Sequence, residues 1–312
     1  MRTDGELVHP GDAAVVIGDD ILEATVLPEK GAEIGSLKAH GVELLFQAPW
    51  ELPREGSGGH RFLEQYAGGW QELFPNCGDP SAGIPFHGEV ALLPWDCVRD
   101  GDALRCSVRS ELTPFRLERI MRVEDGRLVL DETVTNDGDA AAHFVWGHHL
   151  VLGPPFLEAG CVLDAPVRTI VTIPETWEDT ARLEPGQRSA WPNARLRGGG
   201  TVDLREVPGP EAESHDDVYL TDLEGGLVSV TNPRLGMRFS LAFDHQVFRW
   251  LIAWQPYGGA KELPLTGAYA LGVEPWVSQL PLGEAIAAGE AIELGAGAFF
   301  STSLSVEAEW LR

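Results

Sequence analysis

Short apolar segments with a two-residue period dominate the chain. AAVVIG, ILEATVLP, LRCSVRSEL, LERIMRVED, RLVLDETVTN, GLVSVTNP, MRFSLAFD, VFRWLIAWQP and AFFSTSLSVEAEW are rich in Val, Leu, Ile, Phe, Trp and Thr, with turn residues between them. RLVLDETVTN alternates most cleanly. Leu128, Leu130, Glu132 and Val134 fall on one face, and Val129, Asp131, Thr133 and Thr135 on the other, as in a half-buried antiparallel strand. The Asp125-Gly126-Arg127 step before it predicts a hairpin turn. Helical periodicity over ten or more residues is hard to find. GGHRFLEQYAGGWQELF has helix formers but also a Gly-Gly pair, so it reads as a loop with one helical turn, and WEDTARLEPGQR reads as a surface loop. Many strands with few helices predict an all-β chain built as a large sandwich or barrel. With no Pro/Ser-rich linker and no internal repeat, residues 1–312 are expected to form a single domain.

Composition narrows the function classes. The chain has 312 residues, 44% of them hydrophobic, enough for a sizeable core. Its 48 acidic against 23 basic residues give a formal charge of -25, spread along the sequence, which disfavours nucleic acid and anionic membrane surfaces as partners. No run approaches the roughly 18 apolar residues of a membrane span. The N-terminal MRTDGELVHPGDAAVV carries acids early and shows no apolar core of a signal peptide. Cys77, Cys97, Cys106 and Cys161 show no Cys-x-x-Cys spacing, so reduced, partly buried thiols in a cytoplasmic protein are expected.

Three separated motifs place polar groups in short apolar runs: PFHGEV with His87, VWGHHLVLGPPF with His148 and His149, and ALGVEPWVSQ with Glu274. Imidazoles and carboxylates exchange protons near neutral pH. On a strand Ala270, Gly272, Glu274 and Trp276 share a face, so small residues stand beside the carboxylate and an aromatic wall flanks it. In FVWGHHLVL, Gly147 and His149 repeat that pattern, which makes His149 the better pocket candidate. His148 reads either as a core histidine bonded to a neighbour or as a second substrate donor. His87, at a turn before Gly88, can donate a hydrogen bond to a hydroxyl, or can be a surface turn residue. GGWQELFPNCGDP offers Trp70, Gln71, Glu72 and Asn76 to a polyhydroxylated ligand, and SHDDVYL offers Asp216 and Asp217, which can equally be turn residues. No G-x-S-x-G elbow, P-loop or G-x-G-x-x-G after a strand is present. No metal is expected, although zinc accepts two histidines and a glutamate, so His87, His149 and Glu274 leave that option open.

At these residues the chain resembles the aldose 1-epimerase (galactose mutarotase-like) family. FHGEV looks like its His-Gly motif, HHLVLG sits at its histidine followed by an apolar run, LGVEPW resembles its Leu-x-x-Glu-Pro motif, and DDVYL is similar to its substrate-binding aspartate segment. LPEKGAEIGSLKAHGVELL resembles its N-terminal strands, and the order agrees over nearly the whole chain. The resemblance implies a large antiparallel β-sandwich with a sugar in a groove on one sheet and no cofactor. It implies Glu274 as general base, His149 as general acid, His87 on the sugar, and Asp216 or Asp217 on ring hydroxyls. GGWQELFPN stands where an arginine-bearing segment is expected, and Leu150, Val151 and Leu152 stand where aromatics are expected. These departures mark a divergent branch and leave the sugar open, with a neutral one favoured by the lack of an arginine cluster. The partner is then a small sugar, and the protein a monomer or homodimer. The alternatives are a non-catalytic sugar-binding or sensing protein and a metal-dependent sugar isomerase. A glycosidase would need a second carboxylate, from Glu72 or an Asp of SHDDVYL.

Overall fold

Two large antiparallel sheets stack face to face in the computed structural model, which describes residues 6–7, 14–52, 61–175 and 178–311. Most of the N-terminal MRTDGELVHPGDAAVV lies outside the described residues. The first sheet contains the long strands Phe115–Glu124, Arg127–Asn136 and Phe299–Trp310, and extends through Asp96–Asp100 to Glu6–Leu7 on one side and to Val162–Asp164 on the other. The second runs from Arg188–Ala190 through Thr169–Thr172, Ser214–Thr221, Trp250–Tyr257, Glu274–Trp276, Gly147–Leu152 and Trp70–Leu73 to Glu33–Ala39, Leu22–Leu27 and Val15–Gly18.

The two sheets meet different surroundings, and their sequences differ accordingly. Arg127–Asn136 buries Leu128, Leu130, Glu132 and Val134 against the other sheet and leaves the alternate residues half exposed, as its alternation predicts. Its turn puts both Asp125 (φ 52°) and Gly126 (φ 73°) in the left-handed region, the geometry that matches the twist of a two-residue hairpin. By contrast, Gly147–Leu152, Trp250–Tyr257 and Trp70–Leu73 are buried along their whole length. One face of these central strands lies on the sandwich core and the other lies under loops, so they carry apolar residues on both sides.

Two expectations need correction. GGHRFLEQYAGGWQELF does contain one turn of helix, Arg61–Glu64, but its end forms the central strand Trp70–Leu73. The tetrapeptide WQEL alternates weakly because both its faces are buried. Cys97 and Cys106, expected as thiols, stand directly opposite each other on neighbouring strands and are joined in a disulfide, whereas Cys77 and Cys161 are free and buried. Opposed residues of an antiparallel pair bring their β-carbons within bridging range, and spacing along the sequence does not reveal that.

Candidate active site

The register of the second sheet decides which side chains share its outer face. Gly147 pairs with Trp276 and with Leu73, His149 with Gln71, Ile252 with Glu274, and Asp217 with Trp254. Gln71, His149, Trp254, Asp217, Glu274 and Trp276 therefore project to one side, and Trp70, Glu72, His148 and Asp216 to the other. Two glycines make room on the outer face. A β-carbon on Gly272 would lie 2.3 Å from the Glu274 carboxylate and 2.9 Å from Cβ of Trp254. One on Gly147 would lie 2.7 Å from the Trp276 ring and 2.9 Å from Sγ of Cys77. The small residues beside the polar ones thus hold space that the carboxylate and the indole themselves occupy.

His149 and Glu274 come together, with Nε2 of His149 3.7 Å from Oε1 of Glu274. Both are buried. Burial, reinforced by the nearby charge of Asp217, pushes the Glu274 carboxyl well above its usual range, against a smaller opposing effect of Trp276. Burial lowers the His149 imidazole to about 3. The resting pair therefore holds its proton on Glu274 and keeps His149 neutral. This reverses the expected carboxylate and imidazolium, because in an apolar box a neutral acid facing a neutral imidazole avoids two buried charges.

His87 enters from the loop before Gly88. Its backbone sits at φ 60°, a costly conformation for a residue with a β-carbon. Its Nδ1 accepts a hydrogen bond from the Gly78 N–H at 3.1 Å, so neutral His87 carries its hydrogen on Nε2. Its ring centroid is 5.6 Å from that of His149 and 5.7 Å from that of Trp276. Phe62 and Tyr66, from the turn Arg61–Glu64 and the residues just after it, close the front. Their rings stand 5.6 and 5.3 Å from His149, and what remains beside them is a cavity with room for about one water.

Among the described residues, four buried polar atoms of this box lack a protein hydrogen-bond partner: Oη of Tyr66, Oε1 of Gln71, Nδ1 of His149 and Nε1 of Trp276. The Gln71 amide is oriented by its Nε2, which donates to Glu33 Oε2 at 3.0 Å and to the Gly68 carbonyl at 2.6 Å. A buried acceptor and a buried hydroxyl left in this state mark a place for a polar guest.

Four candidates belong elsewhere. His148 is a core histidine: Trp70 Nε1 donates to its Nδ1 at 3.2 Å, and its Nε2 lies 3.2 Å from Glu132. Trp70 shares that core and does not line the site. Asn76 is consumed as a loop clamp, donating to the Asp79 and Pro85 carbonyls and accepting from the Leu282 N–H. Asp216 faces inward, where it pairs with Arg182 Nε at 2.6 Å and accepts from the N–H groups of Arg182 and Leu183. In each case strand parity or loop closure turns the side chain away from the outer face. Asp217 and Trp276 remain at the site. Trp254, a tryptophan near a polar motif in the sequence, joins it, and so do Phe62, Tyr66 and Glu33, which nothing in their local pattern singles out as lining a site.

The metal option fares poorly. Among the described residues, the three candidate ligands whose donor atoms converge are Glu72, Glu132 and His148, not His87, His149 and Glu274. The Arg119 guanidinium, bonded to both glutamates, already holds the cation's place in that core cluster.

Residues 107–308 match the family described as Domain of unknown function (DUF4432). The chain belongs to this family. The matched span contains His149, Trp254 and Glu274 and leaves His87, Gln71 and Tyr66 before it, so the DUF4432 region supplies the His149–Glu274 pair and the preceding strands and loops complete its walls. No curated protein matches the chain. Among solved structures it is similar to the Slr1438 protein from Synechocystis sp. PCC 6803, at 16% identity and TM-score 0.69 over 99% of each chain. It is also similar to a galactose mutarotase related enzyme from Lactobacillus acidophilus, at 16% identity and TM-score 0.67 over 95% of this chain and 97% of the other. The GalM/aldose epimerase homologue from C. elegans follows at 14% identity and TM-score 0.64, over 96% and 100%. This DUF4432 chain thus has the galactose mutarotase-like sandwich fold.

Proposed function

We propose that this protein is an aldose 1-epimerase, interconverting the α and β anomers of an unphosphorylated sugar by acid–base opening of the ring. The observation that carries the reading is the buried Glu274–His149 pair at 3.7 Å, in a box where Tyr66 and Gln71 present unpartnered polar atoms. The ring oxygen and the C1 hydroxyl oxygen are bonded to the same carbon, so two groups this close can each reach one of them. Glu274 donates its proton to the ring oxygen while His149 takes the proton of the C1 hydroxyl. The bond from C1 to the ring oxygen breaks, and the C1 hydroxyl oxygen becomes the aldehyde oxygen. Rotation about C1–C2 and reclosure with the two roles exchanged give the other anomer. Each transfer is worth roughly 10²–10⁴-fold. His87, with its hydrogen on Nε2, and Asp217 would hold ring oxygens and hydroxyls.

An unphosphorylated sugar is favoured by the local charge. Lys30 is paired with Glu33 at 2.8 Å and Arg182 with Asp216 at 2.6 Å, while Glu33, Asp217 and Glu274 bring acid groups to the face. A pyranose enters only as the Phe62 and Tyr66 rings withdraw. That filled site also favours a second reading, in which the protein binds and senses a sugar without turning it over.

Exchange NMR on D-glucose and D-galactose separates the two. Wild-type protein is expected to accelerate anomer exchange, and Glu274→Gln to lower kcat by roughly 10²–10⁴-fold while both sugars still bind. Sugar-dependent fluorescence without acceleration in the wild type would support the sensing reading. Near wild-type turnover in Glu274→Gln would reject the assigned chemistry.

A further inference from the structure

We infer that Trp254 is the platform on which the apolar face of the sugar stacks, and that His215 and Glu178 are positioning residues that hold it there. The inference rests on the sugar-site reading above and assigns it a wall. The Trp254 ring lies 5.8 Å from the His149 ring and 6.2 Å from the Tyr66 ring, and its Cβ borders the space in which the Glu274 carboxyl lies. Its indole N–H does not address the site. It donates to Nε2 of His215 at 2.7 Å.

That bond fixes the next one. With Nε2 accepting, neutral His215 carries its hydrogen on Nδ1, which lies 2.8 Å from Oε2 of Glu178. Burial alone would raise the Glu178 carboxyl, but the bond from His215 and the Glu262 and Lys261 N–H groups hold it at about 2. Those two N–H groups reach its Oε1 at 3.0 Å each. A permanent carboxylate, a single imidazole tautomer and an indole therefore stand in series, and all three side chains are buried. The series ties the loop carrying Glu178 and the loop carrying Lys261 to the sheet at the edge of the site.

The consequence is a choice of ligand chemistry. A tryptophan whose N–H is already used offers only its π face and edges, which suit C–H groups and not hydroxyls. A ring pinned in advance also loses less freedom when a ligand stacks on it. The platform thus selects sugars with a continuous C–H face on that side, while Asp217, His87, Tyr66 and Gln71 meet the hydroxyls.

The test compares His215→Phe and Glu178→Gln with the wild type. The indole proton resonance of Trp254 is identified by its disappearance in Trp254→Phe. His215→Phe is expected to move that resonance upfield, and to raise KM for D-glucose or D-galactose roughly tenfold while kcat changes less than about threefold, because Glu274 and His149 keep their places. Glu178→Gln is expected to change both in the same direction by less, and it decides the matter alone if His215→Phe does not fold. An unmoved resonance overturns the positioning series. A moved resonance with unchanged KM overturns the platform. If the wild type does not accelerate anomer exchange, the epimerase reading fails separately, and the comparison is made on the Kd of the two sugars read from the same resonance. A Trp254 resonance that neither sugar shifts in the wild type then overturns the platform.

Discussion

At the scale of single residues, the protonation of two side chains sets how the proposed reaction responds to pH. A base is useful only when unprotonated and an acid only when protonated. His149, lowered to about 3 by burial, stays neutral through the neutral range, and Glu274, pushed well above the usual carboxylate range, keeps its proton. The sign is then fixed. Activity falls only as pH drops towards about 3, where His149 takes up a proton, or rises far enough for Glu274 to lose one. kcat/KM, which reports the free enzyme, is expected to stay flat between roughly pH 5 and 8, as measured by exchange NMR on D-glucose. A step centred near the ordinary histidine value of about 6.5 would show instead that an imidazolium does the work. Much of this pair was readable beforehand, since strand parity alone put His149 with Gly147 and Glu274 with Gly272. The protonation was not, because it depends on how completely the Phe62 and Tyr66 rings cover the pair, and they come from a turn with no motif.

At the scale of elements, the strands Trp70–Leu73 and Gly147–Leu152 carry the site on one face and a polar cluster on the other. Arg119, from the opposite sheet, donates to both Glu72 and Glu132, and Trp146 donates to Glu72. Burial and the neighbouring Glu132 raise the Glu72 carboxyl to about 7, against the pull of Arg119 and His148. Glu132 is held at about 2 by His148 and Arg119 in spite of its burial. Of the two carboxyls Glu72 is therefore the one that holds a proton more readily, while Glu132 stays a carboxylate between Arg119 and His148. A carboxyl whose folded pKa is raised stabilises the fold fully below its unfolded value and loses that contribution as pH rises through the folded one. Stability to urea is accordingly expected to fall on the order of 3 kcal/mol between about pH 5 and 8 from this group. In Glu72→Gln the decline should shrink by that amount, while the share from the raised Glu274 carboxyl remains. The variant is less stable at pH 5 by about 1–3 kcal/mol, since an amide nitrogen cannot accept from Arg119 or Trp146 as a carboxyl oxygen does. An equal decline in both proteins would remove Glu72 as its cause. The sequence placed Glu132 on the core face of its strand, but only the stacking of two sheets brings it to Arg119, Glu72 and His148.

At the scale of the whole molecule, the formal charge of -25 and the acidic lining of the site act together on the choice of substrate. The sandwich itself was legible from alternation and turn chemistry, whereas the pairing of distant strands that gathers Glu33, Asp217 and Glu274 was not. An excess of one sign of charge raises a potential that repels ligands of that sign, most strongly in a cleft with low-dielectric walls. A sugar phosphate meets this potential twice, in approach and in the site, where Lys30 is paired with Glu33 and Arg182 with Asp216. D-Glucose should therefore be exchanged with a higher kcat/KM than D-glucose 6-phosphate. Salt separates the two contributions, because the Debye length shrinks from about 30 Å at 0.01 M to about 10 Å at 0.1 M. Raising ionic strength over that interval is expected to leave kcat/KM for glucose unchanged and to raise that for the phosphate, narrowing the ratio without closing it. Screening removes the long-range repulsion but leaves Lys30 and Arg182 paired with Glu33 and Asp216. A phosphate preferred at every ionic strength would mean that one of those ion pairs opens to receive it, and Lys30→Met and Arg182→Met would then show which by abolishing the preference.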